Sequence, residues 1–349
     1  MNFKELYSLE GNNKVVDKLG RIRTYSKNYD LFSPLISKEI YNLGFRPRYK
    51  DKKKFAVVLS HDVDYVFNQI SLGTLVKRNL RDLSKARLKN ILKDWSNVVI
   101  RKPFKDWSVD KLIDIEKELN IPATYFFLCL EKGEDDFNYK ISELKSYIDK
   151  IVKNGSEIAF HGGLKAFEDE NYFNKEYSRF YSRIGSIPKG YRSHFLKFNS
   201  DKTFHLLQKR NFLYDATLGL PDSIGFRNGM CYPYRPIYWN SDEFENILEI
   251  PLHIMDVSFF KYMNLNLDQS IEAYQKVVNE VKNVEGVISI LWHNNNMSGD
   301  YKLLYDYILK DLTSNNDVWF CTHEEFAEHW INENLEEMEK YLLKLFAND

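Results

Sequence analysis

Short apolar runs alternate with longer amphipathic stretches from Phe55 onward. Each apolar run has the length of a buried strand, and each amphipathic stretch has the length of a helix. Alternation of this kind is typical of βα units and a parallel sheet. The predicted strands are residues 55–59, 123–130, 157–161, 190–195, 212–218, 247–254, 287–293 and 318–322.

Two of the helices between these strands are well marked. Residues 108–120 are amphipathic, with Ser108 as the expected N-cap. Residues 267–284 follow Asn266 or Asp268 as the expected N-cap. Seven or eight such alternations indicate either a barrel or a doubly wound sheet.

Polar residues at the strand ends favour the barrel. His61, His161 and His293 fall at or just past the end of a predicted strand, and His194 lies near the end of another. In an α/β barrel the carboxyl ends of the strands converge on one mouth, where active sites are built. We therefore expect an α/β barrel with its functional site at that mouth.

Three segments lie outside this rhythm. Residues 1–54 are mixed and polar and predict an N-terminal appendage on the barrel of residues 55–325. Residues 326–349 predict a C-terminal helix, which belongs to an acidic stretch on the outside of the fold. The third segment is an insertion within the barrel, residues 66–106.

The insertion is basic, with ten Lys or Arg against three Asp or Glu. Its apolar residues predict an amphipathic helical segment. The basic face is either a solvated surface over a small apolar stripe or a surface for anionic lipid or a lipid-linked phosphate. The second possibility predicts peripheral contact with an anionic membrane or a lipid-linked glycan through residues 66–106.

The composition limits the classes of partner and compartment. Lys plus Arg number 49 and Asp plus Glu 50, so the net charge of -1 gives no global attraction to nucleic acid. Cys129, Cys231 and Cys321 are far apart and form no CxxC pair, which argues against a disulfide framework or a thiolate zinc site. No signal-peptide pattern and no run of about 18 apolar residues occurs, so we expect a cytoplasmic protein.

The stretch SHDVD places Asp62 and Asp64 at the end of a buried strand. Side chains two apart on an extended chain share a face, and two such carboxylates repel unless a cation neutralises one. Aspartate together with imidazoles is a ligand set of zinc or another divalent first-row metal. Such an ion lowers the pKa of water to about 7 to 9, so one carboxylate is expected as ligand and the other as base. The alternative is a polar turn in which one Asp caps the next segment.

Five short motifs occur in the order and rough spacing of a known family. They are SHDVD, EIAFHG, GYRSHF, YDATLG and ILWHNN, spread over about residues 55–325. In this order they resemble the polysaccharide deacetylases, the NodB-homology group of metal-dependent carbohydrate esterases. The resemblance implies a distorted (β/α)7-type barrel and a divalent metal ion. Zinc is expected first, with cobalt, nickel, manganese or iron as alternatives.

The first two motifs concern the base and the metal. The resemblance implies that Asp62 is the catalytic base and that Asp64 and His161 are metal ligands. The second motif departs from the family, because HGGLK carries Lys165 where most members have a second metal histidine. A divalent metal repels a protonated lysine, so either another group holds the metal or the site is weakened or lost. His194 is our candidate replacement as a metal ligand. Alternatively, His194 supports the ligands by hydrogen bonding or contacts the substrate.

The later motifs concern the groups around the base. Arg192 resembles the arginine that holds the base, and His293 resembles the histidine that acts as general acid. Asp215 resembles the aspartate that orients this histidine. His61 lies on the opposite strand face from Asp62, so we interpret it as structural.

The loop of residues 225–236 is rich in Gly, Pro, Tyr, Arg and Asn. It is either a long ordered connection or a loop that binds sugar hydroxyls or phosphates. Asn294 to Asn296 directly follow His293 and are expected to line the same pocket. The candidate substrate-binding residues are Arg227, Asn228, Tyr234, Arg235 and Asn294.

Three hypotheses for function follow from these motifs. The first is a metal-dependent hydrolase that removes an N-acetyl or other N-acyl group from an amino-sugar unit of a polysaccharide or glycan precursor, or a relative that hydrolyses a cyclic amide. The second is an inactive carbohydrate-binding protein on the same barrel. A metal-free glycosidase is the weakest, because its two carboxyl groups should lie on facing strands about 5 to 10 Å apart.

Overall fold

The computed structural model describes residues 2–8, 17–19, 21, 29–66, 83, 109–131, 139–237 and 243–348, without the side chains of residues 200 and 201. The basic insertion predicted at 66–106 lies almost entirely outside these residues. Its amphipathic character and its contact with lipid therefore stay predictions. The expected N-cap Ser108 also lies outside the described residues.

Parallel strands form the centre of the molecule. Within the described residues, one curled sheet contains β1 to β9, and every pairing in it is parallel. The order is β6-β5-β4-β3-β2-β1-β8-β7, and β9 also pairs with β1. The strands are β1 Phe55–Val63, β2 Thr124–Leu128, β3 Glu157–Gly162, β4 Gly190–Ser193, β5 Tyr214–Asp215, β6 Leu248–Glu249, β7 Ile254–Met255, β8 Val287–Leu291 and β9 Val318–Cys321.

Helices connect and cover these strands. They are α1 Phe3–Tyr7, α2 Leu35–Asn42, α3 Val109–Leu119, α4 Lys145–Lys153, α5 Glu170–Ile184, α6 Ser200–Lys209, α7 Leu267–Asn283, α8 Gly299–Thr313, α9 His323–Trp330 and α10 Glu336–Ala347. Asn266 is the N-cap of α7, and its side chain accepts a hydrogen bond from the backbone N–H of Gln269. The curled parallel sheet with its helices confirms the predicted α/β barrel.

Strand β1 has the central position in the sheet. It pairs with β8, and it also pairs with β9 along its first half and with β2 along its second half. All nine of its residues are buried, which explains why its sequence is a continuous apolar run before the polar end. The strand continues to Val63, four residues beyond the predicted end at Leu59.

Two predicted strands are shorter in the structure than in the sequence pattern. The run of residues 247–254 forms two separate strands, β6 and β7, because Pro251 between them has no N–H to donate to a sheet. The run of residues 212–218 forms only the two-residue β5. β5 and β6 lie at one end of the sheet order, and β7 lies at the other end, next to β8.

The segments outside the barrel pack against one another as well as against the barrel. The backbone N–H of Ile36 donates to Gly229 O at 2.9 Å, and the Tyr7 hydroxyl donates to Arg235 O at 2.5 Å. In the C-terminal helices, Trp330 and Met338 are fully buried. The acidic C-terminal stretch therefore has an apolar face that contributes to the core. Among the helices that the structure describes, none is long and apolar enough to cross a membrane.

Candidate active site

The predicted chemical groups lie at the carboxyl ends of four strands of the same parallel sheet, β1, β3, β4 and β8. Asp62 and Asp64 come from the end of β1, His161 from β3, and His293 follows β8. The turn after β4 supplies His194. Neighbouring parallel strands bring these ends to one edge of the sheet, although up to 231 residues separate them along the chain.

Asp64, His161 and His194 form a cluster whose ligand atoms all lie within 4.8 Å of one another. Asp64 Oδ1 lies 3.4 Å from His161 Nε2 and 3.8 Å from His194 Nε2. Two ligands each about 2.1 Å from a shared zinc ion can be at most about 4.2 Å apart, so both distances suit such an ion. Two imidazoles and one carboxylate are also a ligand set that zinc accepts.

Two atoms of this cluster are buried without a hydrogen bond. Within the described residues, neither Asp64 Oδ1 nor His161 Nε2 has a hydrogen-bond partner. Buried polar atoms in proteins are nearly always paired. An anionic oxygen that faces an imidazole nitrogen therefore fits a bound cation, and the residues present suit the metal that the resemblance implies.

The orientation of His161 makes Nε2 the ring nitrogen that could bind a metal. Its Nδ1 lies 2.9 Å from Arg192 O, which can only accept a hydrogen bond, so Nδ1 carries a proton. A metal-binding histidine commonly donates its second N–H to a carbonyl in this way. Burial alone lowers the pKa of His161, but the charges of Asp62 and Asp64 outweigh burial and raise it. A cation at Nε2 would take the place of the proton that these carboxylates attract.

Neighbouring imidazoles keep the carboxyl group of Asp64 ionised. Burial alone raises the pKa of this carboxyl, but the charge of His194, followed by the neighbouring imidazoles of His161 and His293, holds the pKa well below its ordinary value. Asp64 is 9% exposed and is ionised at neutral pH. The cluster therefore presents a carboxylate, as metal binding requires.

His194 enters the cluster through a strained turn after β4. Phe195 and Leu196 both have positive φ values, 60° and 55°, which place a tight bend directly behind His194. Non-glycine residues adopt this region only when the surroundings stabilise it. The imidazole of His194 stacks on the ring of Phe195 with 4.0 Å between centroids. The sequence motif gives no sign of this bend.

Lys165 does not approach the cluster. It is exposed, and its Nζ lies 3.3 Å from the Tyr172 hydroxyl. This placement agrees with the expectation that Lys165 is not a ligand. The structure thus brings His194, and not residue 165, beside Asp64 and His161.

A buried arginine fixes Asp62. Arg192 is fully buried, and its Nη1 donates to Asp62 Oδ1 and to Ser60 Oγ, both at 2.9 Å. Its Nε donates to Ala216 O at 2.9 Å, and its guanidinium lies 4.2 Å above the centre of the Phe126 ring. Asp62 Oδ2 lies 3.6 Å from His161 Nε2, so the second carboxylate oxygen faces the cluster. Arg192 thus holds the carboxylate that the resemblance identifies as the base.

His293 lies on the other side of Asp64 and is held by Asp256. Its Nδ1 lies 2.7 Å from Asp256 Oδ1, and its backbone N–H donates to Asp256 Oδ2 at 2.8 Å. Its Nε2 points to Asp64 Oδ2 at 3.8 Å. Burial alone lowers the pKa of His293, but the carboxylate of Asp256 outweighs burial and raises it to about 10. The imidazole is therefore positioned and protonated as a proton donor.

Asp256 corrects the expectation that Asp215 orients His293. Asp215 lies in the barrel interior, where its Oδ1 accepts a hydrogen bond from Thr217 Oγ1 at 2.6 Å. Its neighbour in the sheet register is Glu249, which is also fully buried. Burial raises the pKa of both carboxyls, so the two acids share a proton and form a structural pair. Asp256 immediately follows β7, so its position at a strand end was the signal that could have found it.

His61 has a structural role behind the site. Its Nε2 lies 2.7 Å from Glu116 Oε1 on α3, and its Nδ1 lies 2.8 Å from Trp292 O. The ring is fully buried and points to the opposite face of β1 from Asp62. Tyr125 donates to the same Glu116 carboxylate at 2.9 Å. This network fixes the end of β1 against α3.

The loop of residues 225–236 contacts the terminal segments of the chain. Arg235 forms an ion pair with Glu339 of α10, and Asn228 Nδ2 donates to Tyr7 O at 3.0 Å. Tyr234 is 1% exposed and accepts a hydrogen bond from Asn228 at 3.1 Å.

Arg227 in the same loop donates to Gly219 O at 3.1 Å. The polar groups of Arg227, Asn228, Tyr234 and Arg235 thus bind the chain itself, and these residues do not line the cavity beside the cluster, so their role in substrate binding stays a prediction. The residue types that suit a sugar-binding loop, Arg, Asn and Tyr, here anchor the N-terminal and C-terminal segments to the loop.

A cavity of about 320 Å³ opens beside the cluster. Asp62, Asp64, His194 and His293 form part of its wall, together with Asn295 and Asn296. Asn294, which was expected there, is fully buried and donates from Nδ2 to Tyr65 O at 2.6 Å. Its position in the motif is right, but the two following asparagines reach the cavity. The volume lies at the small end of the range for ligand pockets, about 300–1,000 Å³.

Comparison of the structure with solved structures identifies the fold. A protein from Mycobacterium smegmatis assigned to the polysaccharide deacetylases is 20% identical, with a TM-score of 0.57 over 84% of this chain and 95% of that one. This chain has the polysaccharide deacetylase fold. A protein from Pseudomonas aeruginosa PAO1 with the same assignment is 13% identical, with a TM-score of 0.53 over 88% of this chain and 99% of that one.

The same deacetylase fold occurs in the allantoinase Puue, which is 14% identical with a TM-score of 0.53 over 88% of this chain and 98% of that one. Comparison of the sequence with family models and with curated proteins finds no match. Identities this low establish the shared fold of the chain. The reaction has to be inferred from its own residues.

Proposed function

We propose that this protein is a metal-dependent hydrolase that removes an N-acetyl group from an amino-sugar unit of a polysaccharide or glycan precursor. One observation carries the proposal. A fixed carboxylate, a cluster of possible metal ligands and a protonated imidazole lie together at one cavity of a deacetylase-type barrel, and Asp62, Asp64, His194 and His293 form part of its wall. The three groups are Asp62 with Arg192, the cluster Asp64, His161 and His194, and His293 with Asp256.

Asp64, His161 and His194 are the residues that would hold the metal. A divalent ion in this position supplies Lewis acidity, which polarises an amide carbonyl and lowers the pKa of water towards neutrality. Zinc is the ion that we expect first, because the set contains two imidazoles and one carboxylate. The neighbouring carboxylate of Asp62 stays available because Arg192 binds its other oxygen.

Asp62 and His293 then move the protons of the reaction. Asp62 removes a proton from the attacking water, whose oxygen forms a bond to the amide carbonyl carbon. The C–N bond breaks as His293 Nε2–H donates its proton to the departing nitrogen. Asp256 keeps the opposite face of His293 fixed through Nδ1. The products are acetate and the free amine of the sugar.

The test is acetate release from an N-acetylated glucosamine oligosaccharide by zinc-loaded protein. We expect the wild type to release acetate and the free amine in equal amounts. Asp62→Asn and His293→Ala should each lower kcat by about 100-fold or more, because each removes one proton-transfer group. Retained activity in both variants would contradict the assignment of roles.

Allantoin serves as the parallel substrate in the same assay, because the allantoinase shares the fold. Hydrolysis of this cyclic amide without acetate release from the oligosaccharide would favour the alternative C–N bond. Absence of both activities in zinc-loaded, folded protein would favour a carbohydrate-binding protein. Binding of the unmodified oligosaccharide would then remain as the function to measure.

A further inference from the structure

The wall of the cavity next to His293 is built by a wide helical turn. Residues Ser258–Tyr262 form a π-helical turn two residues after Asp256. Turns of this type are rare and are frequent at functional sites. Phe259 is fully buried, and Phe260 packs edge-on against Tyr301 with 4.7 Å between ring centroids. These two phenylalanines fix the turn, so Lys261 and Tyr262 have defined positions on the cavity wall.

Lys261 is a cation of this wall whose charge no described carboxylate neutralises. It is exposed, its Nζ lies 5.3 Å from the centre of the Tyr262 ring, and it forms no ion pair with any residue that the structure describes. The cavity also contains Arg21, but Arg21 is neutralised by Asp17 at 2.6 Å and donates to Phe195 O at 3.0 Å.

The acidic groups in the cavity wall are already engaged. Asp62 is bound by Arg192, and Asp64 faces the imidazoles of the cluster. Asp256, behind the wall, is bound to His293. The balance of charge around Lys261 therefore leaves one positive charge that a ligand can satisfy.

Two exposed aromatic side chains flank the same space. Phe195 is 38% exposed and Tyr262 is 39% exposed, and both line the cavity. Exposed aromatic groups beside a pocket commonly mark a contact surface for a ligand. An aromatic ring offers an apolar face to the C–H side of a sugar ring. Because the Lys261 ammonium lies beside the Tyr262 ring, it would be close to the edge of a sugar that stacks on Tyr262.

We propose that the cavity selects an amino sugar that carries an anionic group, either a carboxylate or a phosphate, and that Lys261 binds this group. Phe195 and Tyr262 hold the sugar ring between Lys261 and the metal cluster. This inference rests on the proposed function, because it names the substrate class of the same site. Lys261 is a specificity residue for ground-state binding and takes no part in proton transfer.

The test compares three N-acetylated substrates and three variants. The substrates are a neutral chitin oligosaccharide, N-acetylglucosamine 1-phosphate, and a disaccharide of N-acetylglucosamine with glucuronic acid. The variants are Lys261→Gln, Lys261→Arg and Lys344→Gln. Lys344 is the matched control, because it is exposed and its Nζ lies 4.9 Å from the Tyr341 ring, far from the cavity on α10.

For the wild type we expect the KM of at least one anionic substrate to lie about tenfold below that of the neutral one, since a charged hydrogen bond is made to only one class. Lys261→Gln should remove this preference by raising the KM of the anionic substrate to that of the neutral one, and Lys261→Arg should keep most of the preference. The preference should also weaken at high salt. Preference for the phosphate or for the carboxylate distinguishes the two sources of the charge.

Equal KM values for neutral and anionic substrates would overturn the inference, as would an equal loss of preference in Lys344→Gln. Calorimetric binding of N-acetylglucosamine 1-phosphate and of N-acetylglucosamine separates this outcome from failure of the proposed function. Binding that favours the phosphate and depends on Lys261 supports the inference even when no acetate is released. Binding without this dependence overturns it whether or not the protein is a deacetylase.

Discussion

At the scale of single residues, His194 lies beside Asp64 and His161, whereas Lys165 faces solvent. The two positions belong to neighbouring strands, β3 and β4, which are paired in the sheet. A ligand position can move from one strand end to the next because both ends open onto the same mouth. The sequence motif lacks the usual second histidine and makes His194 the candidate replacement. The turn with positive φ at Phe195 directly follows His194, whose Nε2 lies 3.8 Å from Asp64 Oδ1.

Exchange of His194 tests this replacement. We expect His194→Ala to weaken zinc affinity by about 100-fold or more, because loss of a ligand costs at least as much as loss of a group behind one. Lys165→Ala is the control, and its zinc affinity should equal that of the wild type. The measurement is competition for zinc with a chromogenic chelator. Unchanged affinity in His194→Ala would show that the ion is held by other residues.

The orientation of His293 by Asp256 gives a second residue-scale prediction. Asp256→Asn should lower kcat by about 100-fold or more, because a neutral amide no longer favours the protonated imidazole. The affinity for zinc should stay within about threefold of the wild type. Asp215→Asn, in contrast, should lower kcat far less than Asp256→Asn. The reverse order of the two variants would restore the role that the motif comparison gives to Asp215.

Sequence reasoning was sufficient for residues whose chemistry follows from a strand end alone. It found Asp62, Asp64, His161 and His293, which the structure brings to one mouth. It missed Asp256 because the contact with His293 depends on the alignment of β7 with β8, 37 residues apart. A motif can name an aspartate, but only the sheet register shows which aspartate reaches the imidazole.

At the scale of elements, the second motif shows why a glycine occupies position 162. A Cβ on Gly162, the last residue of β3, would lie 2.2 Å from the Tyr191 hydroxyl and 2.4 Å from its ring. Tyr191 belongs to the paired strand β4 and is fully buried, so the ring has little room to move. The glycine at position 162 is therefore a packing requirement between β3 and β4.

Gly162→Ser tests this packing. The added side chain should lower the free energy of unfolding by about 1–3 kcal/mol, as overpacking of a filled core usually does. The measurement is urea unfolding followed by circular dichroism, with the midpoint and the slope compared. The double variant Gly162→Ser with Tyr191→Leu should lose less stability than the sum of the two single variants. Additive losses would show that the two residues do not compete for space.

His253 links β7, β8 and the loop of residues 225–236. Its Nε2 lies 3.2 Å from Met230 O, and its Nδ1 accepts a hydrogen bond from Ser289 N at 3.2 Å. The ring can therefore bind only one proton in the folded state. Burial lowers the pKa of His253 to about 4. The neutral imidazole is part of the support for the strand end that carries Asp256.

This depressed pKa predicts an acid dependence of stability. The unfolded chain binds a proton below pH about 6.5 and the folded chain does not, so stability decreases as the pH falls from 6.5 towards 4. Between pH 7.5 and 5.0 the contribution of His253 amounts to about 2 kcal/mol. Urea unfolding at the two pH values gives the loss of unfolding free energy between pH 7.5 and 5.0. This loss should be smaller in His253→Gln than in the wild type by about the same amount. An identical loss of unfolding free energy in wild type and variant would contradict a neutral, buried His253.

The loop of residues 225–236 shows the limit of composition as evidence at this scale. Arginine, asparagine and tyrosine suit a sugar, but they also suit the anchoring of one chain segment to another. The ion pair between Arg235 and Glu339 and the hydrogen bond from Asn228 to Tyr7 O show the second of these uses. Such long-range contacts cannot be inferred from the order of residues within the loop.

At the scale of the whole molecule, the alternation of strands and helices, together with the polar residues at the strand ends, was enough to predict the α/β barrel. The structure adds that β1 lies within the sheet and is buried along its whole length. The sequence did not reveal how the terminal segments attach to the barrel. Tyr7 and Met338 are fully buried, so both terminal segments contribute side chains to the core.

Metal titration against acetate release tests the proposed hydrolase most directly. Protein stripped of metal by a chelator is titrated with zinc, and acetate release from the N-acetylated oligosaccharide is measured at each step. We expect release to rise in proportion to bound zinc and to level off at one ion per chain, with little activity in Asp64→Asn. Acetate release that persists in the stripped protein, or stoichiometric zinc binding without acetate release, would contradict a metal-dependent deacetylase.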